Sequence, residues 1–77
     1  MKVYVLYYEG TVETEILGVF VSKEEANRQL REEYEKYLEY VREEDLVEKG
    51  IVENRAFITE HYWSSEWLIV KRDLIKN

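Results

Sequence analysis

The chain has no cysteine, no proline, one methionine, one histidine and only three glycines in 77 residues. Without cysteine there is neither a disulfide framework nor a thiolate metal site. A single histidine leaves carboxylates as the abundant metal ligands, a set that favours magnesium or calcium over zinc. No Asp-x-Asp-x-Asp-Gly loop supplies a calcium site, so no metal and no cofactor are expected. Gly10, Gly18 and Gly50 stand far apart, which excludes a P-loop and a dinucleotide fingerprint. No apolar run approaches the roughly 18 residues of a membrane span. The start MKVYVLYYEG has no signal-peptide h-region or small-residue cleavage site, so a cytoplasmic protein is expected. Bases are scarce too: 11 stand against 17 acids, for a net charge of −6. Phosphates would be repelled, and direct duplex binding is not expected. The acidity suits solubility, or a surface that meets a basic partner.

What is present is patterned. Val3, Val5 and Tyr7 alternate with Tyr4, Leu6 and Tyr8, the period of a β-strand. Glu9-Gly10-Thr11 supplies a turn, with Gly10 free to take positive φ. A second strand follows from Glu13 to Val21, with Leu17, Val19 and Val21 on one face and Ile16, Gly18 and Phe20 on the other. Gly18 within it points to a bulge or to the close approach of a bulky neighbour. Ser22-Lys23-Glu24-Glu25 reads as a capping box. The stripe Ala26, Leu30, Tyr34, Tyr37, Leu38 and Val41 then fits a helix of about 20 residues, roughly 30 Å long. Glu24–Arg28, Arg31–Glu35 and Glu32–Lys36 are candidate i,i+4 pairs. A break is predicted near residues 42–45, followed by a short turn ended by Gly50. RAFITEHYW (55–63) and EWLIVKR (66–72) read as two further strands with Ser64-Ser65 at their turn.

These elements make one domain over residues 1–77. The predicted fold is α+β: a small antiparallel or mixed sheet in β-β-α-β-β order with one long helix packed on one face. A right-handed crossover would set the strand order at 2-1-3-4.

The stretches MKVYVLYYE (1–9) and ILGVFVSKEEA (16–26) carry a hairpin, a Gly-Val-aromatic strand end and a Ser-x-x-Glu helix start. In these the chain resembles a family of short uncharacterised bacterial and phage proteins, over the first 40 residues and more loosely over residues 56–67. VREEDLVEKGIVEN (41–54) has no counterpart in that pattern. The resemblance implies no activity; it points toward a phage or mobile-element accessory protein.

HYWSSEW (61–67) holds the only histidine and both tryptophans. His61 with Ser64 or Ser65 and Glu66 has the residue types of a triad, but no glycine-rich segment offers an oxyanion hole nearby and strand alternation need not make these side chains converge. A hairpin is the simpler reading, with Trp63 and Trp67 extending a surface. The chain is therefore not expected to be an enzyme. Both faces of the first strand are apolar or aromatic, although one helix covers only one face of a sheet. Something must cover the other: the tail LIVKRDLI, a second copy or a foreign protein. Tyr4, Tyr7, Tyr8, Tyr62, Trp63 and Trp67 are the candidate interface residues. Glu39, Glu43, Glu44, Asp45 and Glu48 form a candidate acidic patch, able to copy nucleic-acid charge. The expected function is a non-catalytic binding protein, a phage-type accessory factor that inhibits a host protein such as a defence component. It would be a homodimer or higher oligomer with no membrane partner. The alternative is an oligomeric nucleotide sponge using Arg55, Lys71 or Arg72 for phosphate; an enzyme is the remaining alternative.

Overall fold

The structure, a computed structural model, describes residues 1–73. Strand β1 (Lys2–Glu9) and β2 (Thr14–Phe20) form a hairpin, and helix α1 (Lys23–Leu38) follows. A 3-10 turn at Glu43–Asp45 leads into β3 (Leu46–Val52), β4 (Arg55–Glu60) and β5 (Ser64–Asp73). The five strands make one sheet in the order β2-β1-β5-β4-β3, and every pairing is antiparallel. The chain thus crosses from one sheet edge to the other through α1, then returns as a meander until β5 meets β1. The helix packs on one face, the predicted α+β arrangement.

Ser22 caps α1: its Oγ accepts from the Glu25 backbone N–H at 3.2 Å, one half of the predicted capping box, while the return bond to the Glu25 carboxylate is not formed among the described residues. Ala26, Leu30 and Tyr34 are buried, and Tyr37, Leu38 and Val41 pack beside them. Against this stripe lie Leu6, Ala56, Ile58 and Trp67, the sheet side of the core. The helix is 16 residues, shorter than the periodicity suggests. Beyond Leu38 come Glu39, Glu43 and Glu44, whose charge opposes a helix C-terminus. The last turn tightens instead, with the Val41 N–H donating to the Leu38 carbonyl at 3.2 Å. Of the three candidate i,i+4 pairs, Arg31–Glu35 is formed at 3.8 Å, while Lys36 turns to Glu33 at 3.8 Å.

Several expectations are corrected. Residues 46–52 are an edge strand rather than a turn, and Gly50 lies within it, where the Phe57 ring sits 2.7 Å from the position a Cβ would take. The last turn falls at residues 61–63, and Ser64 and Ser65 open β5. The order 2-1-3-4 fails because the last strand, not the one before it, pairs with β1; no parallel crossover is needed. Gly10 does not have positive φ; among the described residues the left-handed one is Asn54, at φ 69° in the β3–β4 turn.

The predicted irregularity at Gly18 is present. The β1–β2 register slips between Leu6 and Tyr7, opposite Gly18 and Ile16, so Leu17 bulges. The Phe20 ring lies 2.9 Å from where a Gly18 Cβ would be. The slip changes the face assignment: Ile16 pairs with Tyr7 and Val19 with Val5, both away from α1, while Leu17 packs against the core on the helix side.

Candidate binding site

Regular alternation along β1 and β5 sorts the candidate residues. Tyr4, Leu6 and Tyr8 share the helix side with Lys71, Ile69 and Trp67; Val3, Val5 and Tyr7 share the opposite side with Arg72, Val70 and Leu68. The helix side holds an aromatic assembly. Trp67 is only 2% exposed and lies 5.4 Å from Tyr8, 5.5 Å from Tyr37 and 6.0 Å from Tyr34, ring centre to ring centre. The Tyr34 and Tyr37 contacts are edge-to-face, the geometry that a ring quadrupole favours. The Tyr8 hydroxyl is 3.0 Å from that of buried Ser65, and the Tyr37 hydroxyl donates to the Glu60 carboxylate at 3.0 Å. Burial holds the Tyr37 hydroxyl above the usual phenol range; Ser65 works against that rise and the Glu60 carboxylate adds to it.

Above Trp67 a cleft of about 340 Å³ opens between the C-terminal half of α1 and the β1–β2 hairpin. Tyr8, Leu17, Tyr37, Tyr40 and Trp67 supply its apolar wall, and Glu15, Glu33 and Lys36 its charged rim. The Leu17 bulge contributes to this wall. Tyr40, which lies off the helical stripe, is 85% exposed. Its place beside Tyr37, three residues on, was the one signal in the sequence that could have found it.

The other candidates lie elsewhere. Tyr62 and Trp63 are exposed in the β4–β5 turn, so any surface there rests on them and not on buried Trp67. Glu39, Glu43 and Glu44 are exposed beyond the end of α1, with Glu44 paired to Arg42 at 3.0 Å. The Asp45 carbonyl accepts the His61 backbone N–H at 3.1 Å, and Glu48 sits on β3. The triad residue types do not share partners: Ser65 is buried against Tyr8, and Glu66 pairs with Arg55. Among the phosphate candidates, Arg55 is held by Glu66 on the sheet face away from α1, Arg72 lies elsewhere on that face, and Lys71 is on the helix side with Tyr4. One copy therefore does not gather them around a single phosphate.

The face away from α1 carries a second apolar strip. Val3 and Val5 are buried there, outside the helix-side cluster. Tyr7, Leu68 and Val70 are half-buried beside them, while Ile16 and Val19 are more than half exposed. The candidate cover LIVKRDLI is itself β5 through Asp73; its Leu74 and Ile75 lie outside the described residues.

A family profile described as a domain of unknown function (DUF7336) matches residues 1–51. The chain belongs to the DUF7336 family. The DUF7336 match takes in β1, β2, α1 and β3 as far as Ile51, so most of the segment at 41–54, expected to lack a counterpart, is part of the family pattern. Within the cleft, all residues but Trp67 fall inside the DUF7336 region. Comparison with curated proteins and with solved structures finds no match.

Proposed function

We propose that this protein is a non-catalytic interaction protein that forms a homodimer through the sheet face away from α1 and docks on a protein partner through its acidic and aromatic surface. The observation that carries this reading is the apolar strip of Val5, Tyr7, Ile16, Val19, Leu68 and Val70 on the face opposite the helix. An antiparallel sheet bare to water on one side should be polar there.

A second copy is the occupant that the placement of charges at the two ends of the strip suits. Arg72 lies at one end of the strip, level with Val3, and Glu9 and Glu66 lie level with each other at the far end. A two-fold axis perpendicular to the strands brings the Arg72 end of one copy against the Glu9 end of the other, twice. Neither Arg72 nor Glu9 is in an ion pair among the described residues. Partner docking is supported by the net charge of −6 and by exposed Tyr40, Tyr62 and Trp63. The finer reading is a phage-type accessory factor, acting in the cytoplasm, that inhibits a host protein such as a defence component.

Sedimentation velocity tests the dimer. The wild type should sediment as a dimer at high micromolar concentration. Val19→Lys, at a site already exposed in one copy, should give a monomer with unchanged circular dichroism. Arg72→Glu should weaken the dimer, and Arg72→Glu with Glu9→Lys should restore it. A wild type that stays monomeric throughout overturns the self-association.

A further inference from the structure

We propose that the cleft over Trp67 is a receptor for the guanidinium group of an arginine side chain presented by a basic protein partner. The inference rests on the partner-docking half of the reading above and adds the chemistry that the partner must carry. It uses the opposite face of the sheet from the dimer.

The cleft volume of about 340 Å³ lies at the small end of the range of ligand pockets. Its wall is aromatic, with Tyr8, Tyr37 and Tyr40 around the buried Trp67. Ring faces attract cations, and a planar guanidinium stacks on them better than an ammonium does. The hydroxyls of Tyr8 and Tyr37 are occupied by Ser65 and Glu60, which hold both rings in place without help from a ligand. A platform ordered beforehand loses less entropy when the ligand arrives.

The rim sets the sign of the charge. Glu33 lies 3.8 Å from Lys36 and also accepts from the Gln29 amide at 3.1 Å, so these charges largely cancel. Glu15 remains, cross-strand from Tyr8 on the exposed edge strand and in no ion pair among the described residues. A carboxylate beside aromatic rings can take the fork of a guanidinium while the rings take its plane. An anion would meet Glu15 and the −6 charge of the chain, and a neutral apolar side chain would gain nothing from the carboxylate. The mouth is open at Glu15 and Tyr40, both exposed, so a side chain can enter from outside.

The test uses N-acetyl-arginine amide and its neutral isostere N-acetyl-citrulline amide, titrated into the intact protein and followed by amide NMR shifts and tryptophan fluorescence. The arginine probe should move the amides of Glu15, Leu17, Tyr37 and Tyr40, while citrulline at the same concentration leaves them in place. Glu15→Gln and Tyr40→Ala should each weaken binding several-fold. Both residues are exposed, so both variants should keep the wild-type fold. Arg72→Glu, on the other face, should bind the probe normally even as a monomer, which separates failure of the cleft from failure of the dimer. Equal binding of citrulline overturns the proposal, as does the absence of any shift in the cleft. Shifts confined to Glu43–Glu48 and insensitive to Glu15→Gln would also overturn it, because they mark the arginine as a counter-ion of the acidic surface.

Discussion

At the scale of single residues, two asparagines fasten the start of the helix to the β3–β4 turn by a reciprocal pair of hydrogen bonds. The Asn27 amide nitrogen donates to the Asn54 side-chain oxygen at 2.9 Å, and the Asn54 backbone N–H donates to the Asn27 side-chain oxygen at 2.8 Å. Asn54 can do this because it turns the chain at φ 69°, a conformation asparagine tolerates better than most residues. The two functions are separable. Asn54→Gly keeps the backbone freedom and loses the side-chain bond, at a cost of about 1 kcal/mol. Asn54→Ala loses that bond and adds the left-handed penalty, for a total of about 2–3 kcal/mol. Urea unfolding should therefore rank wild type above Gly above Ala; an alanine variant as stable as the glycine one would remove the backbone half of the account. In the sequence these residues stand 27 apart, and nothing in the spacing marks them as partners.

At the scale of elements, legibility followed the number of faces that each segment buries. Strand β1 and helix α1 have strong periods because packing dictates every second or every third and fourth side chain, and both were readable. Edge strand β3 is not dictated in this way: Val47, Glu48 and Lys49 are all exposed, so its alternation is lost and its acids and glycine imitate a turn. Strand order was illegible because pairing of β1 with β5 is decided by contacts across the whole chain. The cleft was legible only in its ingredients. Tyr8, Tyr37 and Trp67 were visible as aromatics, but α1 is what brings them together. The C-terminal half of that helix is fastened by the bond from Tyr37 to Glu60, and this makes a pH prediction. Tyr37 has its phenol raised in the fold, first by burial, so the folded state favours the neutral form. That contribution is complete below the unfolded value near 10 and is lost as pH rises through the higher folded value. Tyr37→Phe should be less stable than the wild type at pH 7 by about 1.5–3 kcal/mol, the value of a hydrogen bond to a charged group. The difference should narrow above pH 10, where only the wild type loses this contribution. Parallel stability curves from pH 7 to 11 would show that the Tyr37 hydroxyl does not couple to folding.

At the scale of the whole molecule, charge acts with opposite sign on the two proposed surfaces. Two copies that each carry −6 repel when they meet face to face. With charge centres roughly 20 Å apart in water, that repulsion is on the order of 7 kcal/mol before screening. At about 0.15 M salt the screening length is about 8 Å, and the same repulsion falls below about 1 kcal/mol. The two symmetry-related pairs of Arg72 with Glu9 are exposed contacts, contributing at most about 1 kcal/mol each, and salt weakens them as well. The long-range repulsion outweighs these pairs at low salt, so the dimer should tighten as salt rises from about 0.01 to 0.15 M. The arginine cleft must behave in the opposite way, because a cationic ligand is drawn to an acidic protein and salt screens that attraction. Sedimentation and arginine-probe titration across one salt series should therefore give dimer and probe affinities that move in opposite directions. A dimer that dissociates steadily as salt rises would mean that ion pairs, not the strip around Val5, Tyr7 and Leu68, hold the two copies together.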